Sequence, residues 1–238
     1  MTGEDRSQIR GLLLAWFDAH RRDLPWRRTS DPYRIWVSEI MLQQTQVDRV
    51  IDYYERFLVA FPTVEALAEA PIDDVLRLWE GLGYYSRARN LHAAARVIVQ
   101  EHGGEFPRSP EAIRALPGIG EYTAGAVQSI AFGVPVPAVD ANVIRVLARL
   151  FAVEGDVSAG EERRRIADLA AEVVPDDRPG DFNQALMELG ALLCIPGRPG
   201  CLICPLSEVC RAKLRGLQAT IPPPKSRAVH EVASVAGV

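Results

Sequence analysis

The stretch LPGIGEYTAGAVQSIAFGVPVPAVDANVIRVLARLF occupies residues 116–151 and contains two apolar patterns of helical period, at 123–132 and 142–151. A turn with two glycines precedes the first pattern. It consists of Leu116, Pro117, Gly118, Ile119 and Gly120. Glycine permits positive φ and close approach of backbone N–H groups to a ligand, and the next helix adds its positive N-terminal dipole. The turn can therefore hold a phosphate, although it also suits an ordinary connection between helices.

Helical patterns extend over most of the chain, and glycine or proline punctuates nearly every junction between them. Runs of alternating β-branched residues are scarce. The sequence therefore predicts an all-α fold with about ten helices. The predicted helical segments are 7–20, 33–46, 47–61, 64–69, 72–80, 86–102, 110–116, 123–132, 142–151, 160–174 and 182–194.

The chain has 238 residues and is 48% apolar, which is enough to bury one large core or two modest ones. No apolar run has the length of a membrane span, and the N-terminal MTGEDRSQIR is charged where a secretory signal needs an apolar core. We expect a soluble, intracellular protein that contacts no membrane. The net charge of −4 is a mild argument against a nucleic-acid partner, but a basic face can coexist with acidic surface elsewhere.

All four cysteines lie between Cys194 and Cys210, separated by six, two and five residues. Disulfides of an exported fold would not cluster in this way. A structural zinc also takes four cysteines, but usually as two CxxC pairs about a dozen or more residues apart, and this chain has a single CxxC. The spacing suits a cubane iron–sulfur cluster better, and free or structural cysteines are the remaining alternative.

Two carboxylates, Asp140 and Glu39, occupy positions that suit a catalytic role. Asp140 comes where a helix should begin, and the roles of N-cap and catalytic group are compatible in one carboxylate. Glu39 shares the apolar face of its predicted helix with Ile35 and Trp36. Partial burial there would raise the pKa of the carboxyl, which suits a general acid near neutral pH. The alternative for Glu39 is a position at the helix margin, paired with Arg34 or another arginine.

The cysteine spacing, the LPGIG turn followed by Tyr122, and the pair Val139-Asp140 together resemble the endonuclease III and MutY superfamily of DNA glycosylases. This resemblance implies a helix–hairpin–helix that anchors a phosphate through Gly118 and Gly120, with a bound alkali cation as in the family. It implies that Asp140 faces the sugar of a flipped nucleotide. It also implies a [4Fe–4S] cluster, with ligands Cys194, Cys201, Cys204 and Cys210.

The string WVSEIMLQQTQV closely resembles the signature of MutY-type adenine DNA glycosylases. It implies that Glu39 protonates adenine, while Asp140, supported by Asn142 and Tyr122, stays ionised and stabilises or traps the oxocarbenium ion. Resembling enzymes that cut the strand carry a lysine in place of Tyr122, which forms a Schiff base with the sugar. This chain has no lysine before residue 213, so we predict a monofunctional glycosylase.

Further strings between about residue 20 and residue 212 resemble the same type, although each alone could be ordinary core helix. LPWR at 24–27 resembles the segment that lines the adenine pocket, and FNQALMELG at 182–190 resembles a string whose glutamate touches the exocyclic amine. GLGYYSRAR at 81–89 resembles the wedge, whose first tyrosine stacks beside the opposite base, and the pair Gln43-Gln44 resembles the glutamines that enter the duplex. The predicted base and DNA contacts are Trp26, Arg27, Gln43, Gln44, Tyr84, Leu116, Gly118, Ile119, Gly120 and Glu188.

Two departures from the MutY pattern keep the substrate open. Ala141 replaces the usual glycine, as it can in related thymine-mismatch glycosylases. Only 28 residues follow Cys210, so we expect this sequence to lack the Nudix-like domain that reads 8-oxoguanine in MutY enzymes. Either Pro222–Pro224 mark the linker of a shortened chain, or the protein is a single-module enzyme. The function predicted is removal of adenine opposite 8-oxoguanine or guanine in base excision repair. The alternatives are a thymine or uracil mismatch glycosylase, a strand-cutting lyase, and a non-catalytic iron–sulfur DNA-binding or electron-transfer module.

The predicted architecture is two helical domains that flank a DNA-binding cleft. A six-helix barrel with the hairpin is expected at 31–135, an iron–sulfur cluster domain at 1–30 and 136–216, and a tail or linker stub at 217–238. The expected partner is double-stranded DNA with a mismatch or lesion. We expect a monomer in the cytoplasm, associated with the nucleoid through DNA binding.

Overall fold

The computed structural model describes residues 2–157 and 160–223. Across these residues the secondary structure is helical, without a strand, which confirms the all-α fold. None of the described helices combines the length and apolar character needed to cross a bilayer. The α-helices are α1 Gly3–His20, α2 Pro32–Leu42, α3 Val47–Ala60, α4 Val64–Glu69, α5 Ile72–Trp79, α6 Ser86–His102, α7 Pro110–Ala115, α8 Glu121–Phe132, α9 Ala141–Phe151, α10 Gly160–Val173, α11 Pro179–Leu192 and α12 Arg211–Leu214, with 3-10 turns at Pro25–Arg27 and Cys201–Ile203.

Helix starts follow the capping chemistry of the sequence. Thr2 and Asp5 form a reciprocal pair of side chain–backbone hydrogen bonds, so α1 begins at Gly3, earlier than the predicted residue 7. The carboxylate of Asp31 accepts from the first amides of α2, and Pro32 fills the first helical position. These two caps explain why both helices begin where they do.

The α2 helix ends at Leu42, so the prediction that it continues to residue 46 is wrong. Gln44 has a φ of 55°, which lies outside the α-helical region. The guanidinium of Arg87 donates to the carbonyls of residues 40–41 at 2.8 and 3.0 Å. Because a side chain from α6 satisfies these terminal carbonyls, the helix needs no further turn at this end. Such a tertiary contact leaves no local signal in the sequence.

The core consists of two hydrophobic clusters. The first gathers α2–α8 around side chains such as Trp36 and Trp79, which are fully buried. The second joins α1 to α9–α12 around Phe17. Leu24 and Trp26, which were expected to belong with α1, pack in the first cluster. The chain thus crosses from one cluster to the other soon after α1.

Helix α11 bridges the two clusters, because it packs against α8 as well as against α1 and α9. Gly180 permits this approach: a Cβ there would lie 2.7 Å from the Cα of Ile130 and from the carbonyl oxygen of Ser129. Residues 217–223 begin the expected tail, yet Ile221 is only 3% exposed and belongs to the second cluster. Residues 224–238 of that segment lie outside the described residues.

Candidate active site

A cleft of about 630 Å³ lies where α2, the starts of α8 and α9, α11 and the 3-10 turn Pro25–Arg27 meet. Its volume falls within the range of roughly 300–1,000 Å³ that is usual for ligand pockets. Most of the predicted catalytic and base-contacting residues line it. They are Trp26, Arg27, Glu39, Gln43, Gln44, Gly120, Tyr122, Asp140, Asn142 and Glu188.

Glu39 is only 5% exposed, although its helix reaches the cleft. Burial raises the pKa of this carboxyl to about 7; the hydrogen bond from Tyr122 opposes the rise, and the negative charge of Asp140 adds to it. A carboxyl with this pKa is about half protonated at neutral pH, as a general acid requires. The alternative pairing with Arg34 is not found, because Arg34 lies 3.6 Å from its own helix cap, Asp31.

Tyr122, in the first turn of α8, connects that helix to α2. Its hydroxyl donates to Oε2 of Glu39 at 2.6 Å and also lies 3.3 Å from Sδ of Met187. Burial, together with the negative charge of Glu39, raises the pKa of Tyr122 well above its ordinary value, so the phenol stays a neutral donor. Among the described residues, no lysine lines the cleft, since Lys213 lies beside the cysteines instead.

Asp140 is the N-cap of α9, as one of the two sequence interpretations held. Its Oδ1 accepts from the amide of Val143 at 2.7 Å, and its Oδ2 accepts from Nδ2 of Asn142 at 2.8 Å. Burial raises the pKa of Asp140, and these hydrogen bonds oppose that rise because they favour the ionised carboxylate. The carboxylate also lines the cleft, so capping does not remove it from the site.

A chain of hydrogen bonds runs from Asp140 to the cysteine loop. Asn142 donates to Asp140, and its Oδ1 accepts from Nη2 of Arg145 at 2.8 Å. Nε of Arg145 donates to the carbonyl of Cys194 at 2.7 Å. One turn further along α9, Arg149 donates to the same carbonyl at 3.2 Å. Sequence reasoning missed both arginines; the only available signal was their spacing of four along an otherwise apolar helix.

Glu188 on α11 is 1% exposed and pairs with two arginines. Its Oε2 accepts from Nη2 of Arg22 at 2.6 Å and from Nη2 of Arg27 at 3.0 Å, while Oε1 accepts from Nε of Arg22 at 2.9 Å. Burial would raise the pKa of Glu188, but these hydrogen bonds outweigh it and lower the pKa to about 2. Because arginines engage both oxygens, contact of Glu188 with a base amine stays a prediction. Arg22 is one of four arginines in RRDLPWRR, so the sequence alone does not indicate which of them pairs with Glu188.

Gln43 and Gln44 line the cleft, whereas Tyr84 lies in a separate segment of the chain. Gln43 donates weakly to Oγ1 of Thr123 at 3.4 Å. Gln44 and Tyr84 both have positive φ, at 55° and 50°. The ring of Tyr84 is 60% exposed and does not line the cleft itself. An exposed tyrosine fits the predicted stacking role, which stays a prediction.

The turn 116–120 joins α7 to α8 as a helix–hairpin–helix. Leu116 and Ile119 are 2% and 7% exposed, so both pack in the core, and the amide of Ile119 donates to the carbonyl of Leu116 at 3.2 Å. Their predicted contact with DNA stays a prediction. Gly118 has a φ of 77°, and a Cβ there would lie 2.7 Å from Cβ of Asn90. No described residue accepts from the amides of Gly118 or Gly120. An alkali cation here would need backbone carbonyls, since no cluster of side-chain ligands is found in the described ranges.

The four cysteines line a second, small cavity of about 30 Å³. None of them forms a disulfide. Within the described part of the chain, no group of three or more histidine, cysteine, aspartate or glutamate side chains is arranged so as to hold a metal ion. Four cysteine thiols are the donor set of a cubane cluster, in which each cysteine binds a different iron. The donor set therefore fits an iron–sulfur cluster.

Comparison with known proteins gives a family and several relatives. A family model described as "HhH-GPD superfamily base excision DNA repair protein" matches residues 37–172. The chain is 50% identical over 216 residues to the adenine DNA glycosylase of Homo sapiens, covering 87% of this chain and 40% of that protein. It is 40% identical over 204 residues to the adenine DNA glycosylase of Buchnera aphidicola subsp. Acyrthosiphon pisum, covering 85% and 58%. The chain thus spans about half the length of these relatives.

Solved structures share the fold. A thermostable thymine-DNA glycosylase matches with a TM-score of 0.81 and 33% identity, covering 89% of this chain and 98% of that one. Endonuclease III in a non-covalent complex with DNA matches with a TM-score of 0.73 and 23% identity, covering 90% and 98%. At that level of identity the second match shows the fold alone.

Proposed function

Because the chain belongs to the HhH-GPD superfamily of base excision DNA repair proteins, we propose that it is a monofunctional glycosylase acting on adenine mispaired with 8-oxoguanine or guanine. The observation that carries the proposal is the pair of carboxylates in one cleft. Glu39, with its raised pKa, supplies a proton, and Asp140, held by donors, supplies a negative charge. Two carboxyl groups with opposite roles are the usual means of breaking a glycosidic bond.

In the proposed reaction an extruded nucleotide enters the cleft with its base towards Glu39. The protonated carboxyl donates its proton to a ring nitrogen of the base, so that the base leaves as a neutral molecule. Tyr122 fixes the orientation of Glu39 through the 2.6 Å hydrogen bond. The base would lie against Trp26, which is itself packed edge-on against Tyr54 at 5.4 Å between ring centroids. The aromatic wall and the buried acid exclude water from the proton transfer.

Departure of the base leaves an oxocarbenium ion on the sugar. Asp140 lies in the same cleft, and the donors Val143 and Asn142 keep its carboxylate charged. An ionised carboxylate stabilises this cation or traps it, and water then completes the hydrolysis. No Schiff base forms, because Tyr122 occupies the position at which the strand-cutting enzymes have a lysine.

Adenine is favoured over other bases by the relatives, which are named adenine DNA glycosylases at 40–50% identity. Double-stranded DNA is the proposed partner, with a backbone phosphate at the free amides of Gly118 and Gly120. Cys194, Cys201, Cys204 and Cys210 would hold a [4Fe–4S] cluster. When bound, the cluster cross-links their loop and so supports the end of α11 and the start of α12.

A thymine or uracil mismatch glycosylase is the second candidate. The thymine-DNA glycosylase with a TM-score of 0.81 favours it, and so does Ala141, which lines the cleft. The two candidates share the extrusion step and the role of Asp140, and they differ in the base that the pocket accepts.

The test is single-turnover base release by the purified protein from four duplexes. They contain A opposite 8-oxoguanine, A opposite G, T opposite G, and U opposite G. Selective release of adenine supports the proposal, and selective release of thymine or uracil supports the second candidate. Borohydride trapping on the same duplexes should give no covalent adduct, whereas an adduct would indicate a lyase.

A further inference from the structure

Arg87, in the first turn of α6, is a buried arginine without a carboxylate partner. It is 9% exposed, and no described carboxylate lies within ion-pair distance of it. Burial lowers the pKa of its guanidinium, which shows that this position is unfavourable for a positive charge. A charge kept in such a place requires compensation from hydrogen bonds.

The compensation comes from two separate segments. We define the glutamine loop as residues 43–45 and the tyrosine loop as residues 81–85. Nη1 of Arg87 donates to the carbonyl of Gln43 at 2.5 Å, and Nη2 donates to the carbonyl of Gly83 at 3.1 Å. Nη1 also bonds the carbonyls that end α2, where the negative end of the helix dipole favours a cation. One guanidinium therefore joins both loops to the end of the helix that carries Glu39.

The two carbonyls have a further property in common. Gln43 directly precedes Gln44, and Gly83 directly precedes Tyr84, and these two following residues have φ values of 55° and 50°. A non-glycine residue with such a φ is strained and persists only where surrounding contacts hold it. The guanidinium carbon also lies 5.6 Å from the ring centroid of Tyr84. Arg87 thus holds the peptide before each strained residue and contacts one of the two side chains directly.

We propose that Arg87 is a positioning residue that holds the glutamine loop and the tyrosine loop in register as one preformed unit for entering the duplex. This inference rests on the proposed function, because the unit acts in base extrusion. It assigns Arg87 no contact with the reacting atoms. Its effect lies in the step that brings the nucleotide to Glu39, and the proton transfer itself is unaffected.

The first test is hydrogen exchange of the free protein, which needs no DNA. Each loop has a reporter amide: that of Thr45 bonds to Leu42 at 3.3 Å, and that of Leu82 bonds to Trp79 at 3.0 Å. Arg87→Lys keeps the charge but loses the fork of donors. Exchange should accelerate in both loops together by about tenfold or more, since hydrogen bonds to a charged group are lost. Acceleration in one loop only, or in neither, overturns the proposal.

The second test compares extrusion with chemistry on a duplex that the wild type processes. Extrusion is followed by the fluorescence of 2-aminopurine at the target position, and chemistry by single-turnover release. Arg87→Lys should lower the rate of extrusion and the rate of base release by a similar factor, roughly 10- to 100-fold, because release follows extrusion. The pH midpoint of release should stay unchanged. Unchanged extrusion, or a shifted pH midpoint, overturns the positioning role.

Two control variants make these outcomes interpretable. Arg96→Lys alters an exposed arginine on the same helix and should change neither the hydrogen exchange of the two loops nor the rates of extrusion and release. Leu67→Ala opens a cavity in the first cluster, away from the cleft, and should lower the melting temperature without uncoupling the loops. If the wild type releases no base from any duplex, the proposed function fails, and hydrogen exchange still decides whether Arg87 clamps the loops.

Discussion

The hydroxyl of Tyr122 donates a 2.6 Å hydrogen bond to Oε2 of Glu39 and so joins α8 to α2 beside the cleft. The two residues are 83 positions apart, yet each affects the pKa of the other in addition to the effect of burial. Glu39 raises the pKa of the phenol, and the phenol limits the rise that burial causes in the pKa of Glu39. The pKa of the proposed acid, Glu39, therefore depends on a neighbour from another helix of the cleft.

Tyr122→Phe should shift the pH dependence of base release. The lost hydrogen bond stabilised the carboxylate of Glu39, so the pKa should rise above about 7. Since the protonated form of Glu39 is the proposed acid, the fall in the rate of release at high pH should move to higher pH. Tyr33→Phe is the matched control, because it removes a buried 2.8 Å hydrogen bond to Phe61 outside the cleft. If the pH midpoint of base release is the same in both variants and in the wild type, Tyr122 does not alter the pKa of Glu39.

Asn142→Ala should act on the other carboxylate. It removes the donor 2.8 Å from Oδ2 of Asp140, so the pKa of that group should rise further. In the proposed reaction Asp140 acts when ionised, so as the pH falls the release of base should be lost at a higher pH than in the wild type. At neutral pH we expect release to fall roughly tenfold. A pH–rate profile from acid to neutral pH measures the shift, and an unmoved acid limb would indicate that another group controls it.

Glu188→Gln should change stability and its pH dependence. The pKa of Glu188 is lowered from an ordinary 4.5 to about 2, so its stabilising effect is complete above pH 4.5 and is lost as the pH falls through 2. At pH 7 the free energy of unfolding of the variant should be lower by on the order of 2–3 kcal/mol, because Arg22 and Arg27 lose their charged partner.

Urea unfolding at pH 7 and at pH 3 measures this difference. The difference in free energy of unfolding between the wild type and Glu188→Gln should be smaller at pH 3 than at pH 7. Asp23→Asn is the control, since it breaks an exposed ion pair with Arg28 and should hardly alter stability at either pH. A difference in free energy of unfolding that does not depend on pH would contradict the assignment of the low pKa to Glu188.

The cysteine site predicts the metal content of the purified protein. We expect about four iron and four sulfide per chain, with absorption in the visible range. Cys201→Ser should lower both contents together and destabilise the loop that contains the 3-10 turn Cys201–Ile203. One zinc per chain, without sulfide, would mean that the zinc alternative is right.

Local patterns predicted the parts of this molecule that local chemistry determines. The helical class, the cap at Asp140 and the apolar face around Glu39 all follow from spacing along one helix or turn. Contacts between distant segments had no such signal. The end of α2 at Leu42 depends on Arg87, and the state of Glu188 depends on Arg22, which is 166 positions away. Arginine has several possible partners in any sequence, so only the fold identifies the one it takes.

The most direct test of the account is Glu39→Gln, measured on a duplex with adenine opposite 8-oxoguanine. Glutamine keeps the shape of the buried side chain and removes the titratable proton. Single-turnover release should fall by about 100- to 10,000-fold, while duplex affinity, measured by fluorescence anisotropy, should stay within about twofold. Release at the wild-type rate by Glu39→Gln would contradict the central claim that this buried carboxyl is the acid that expels the base.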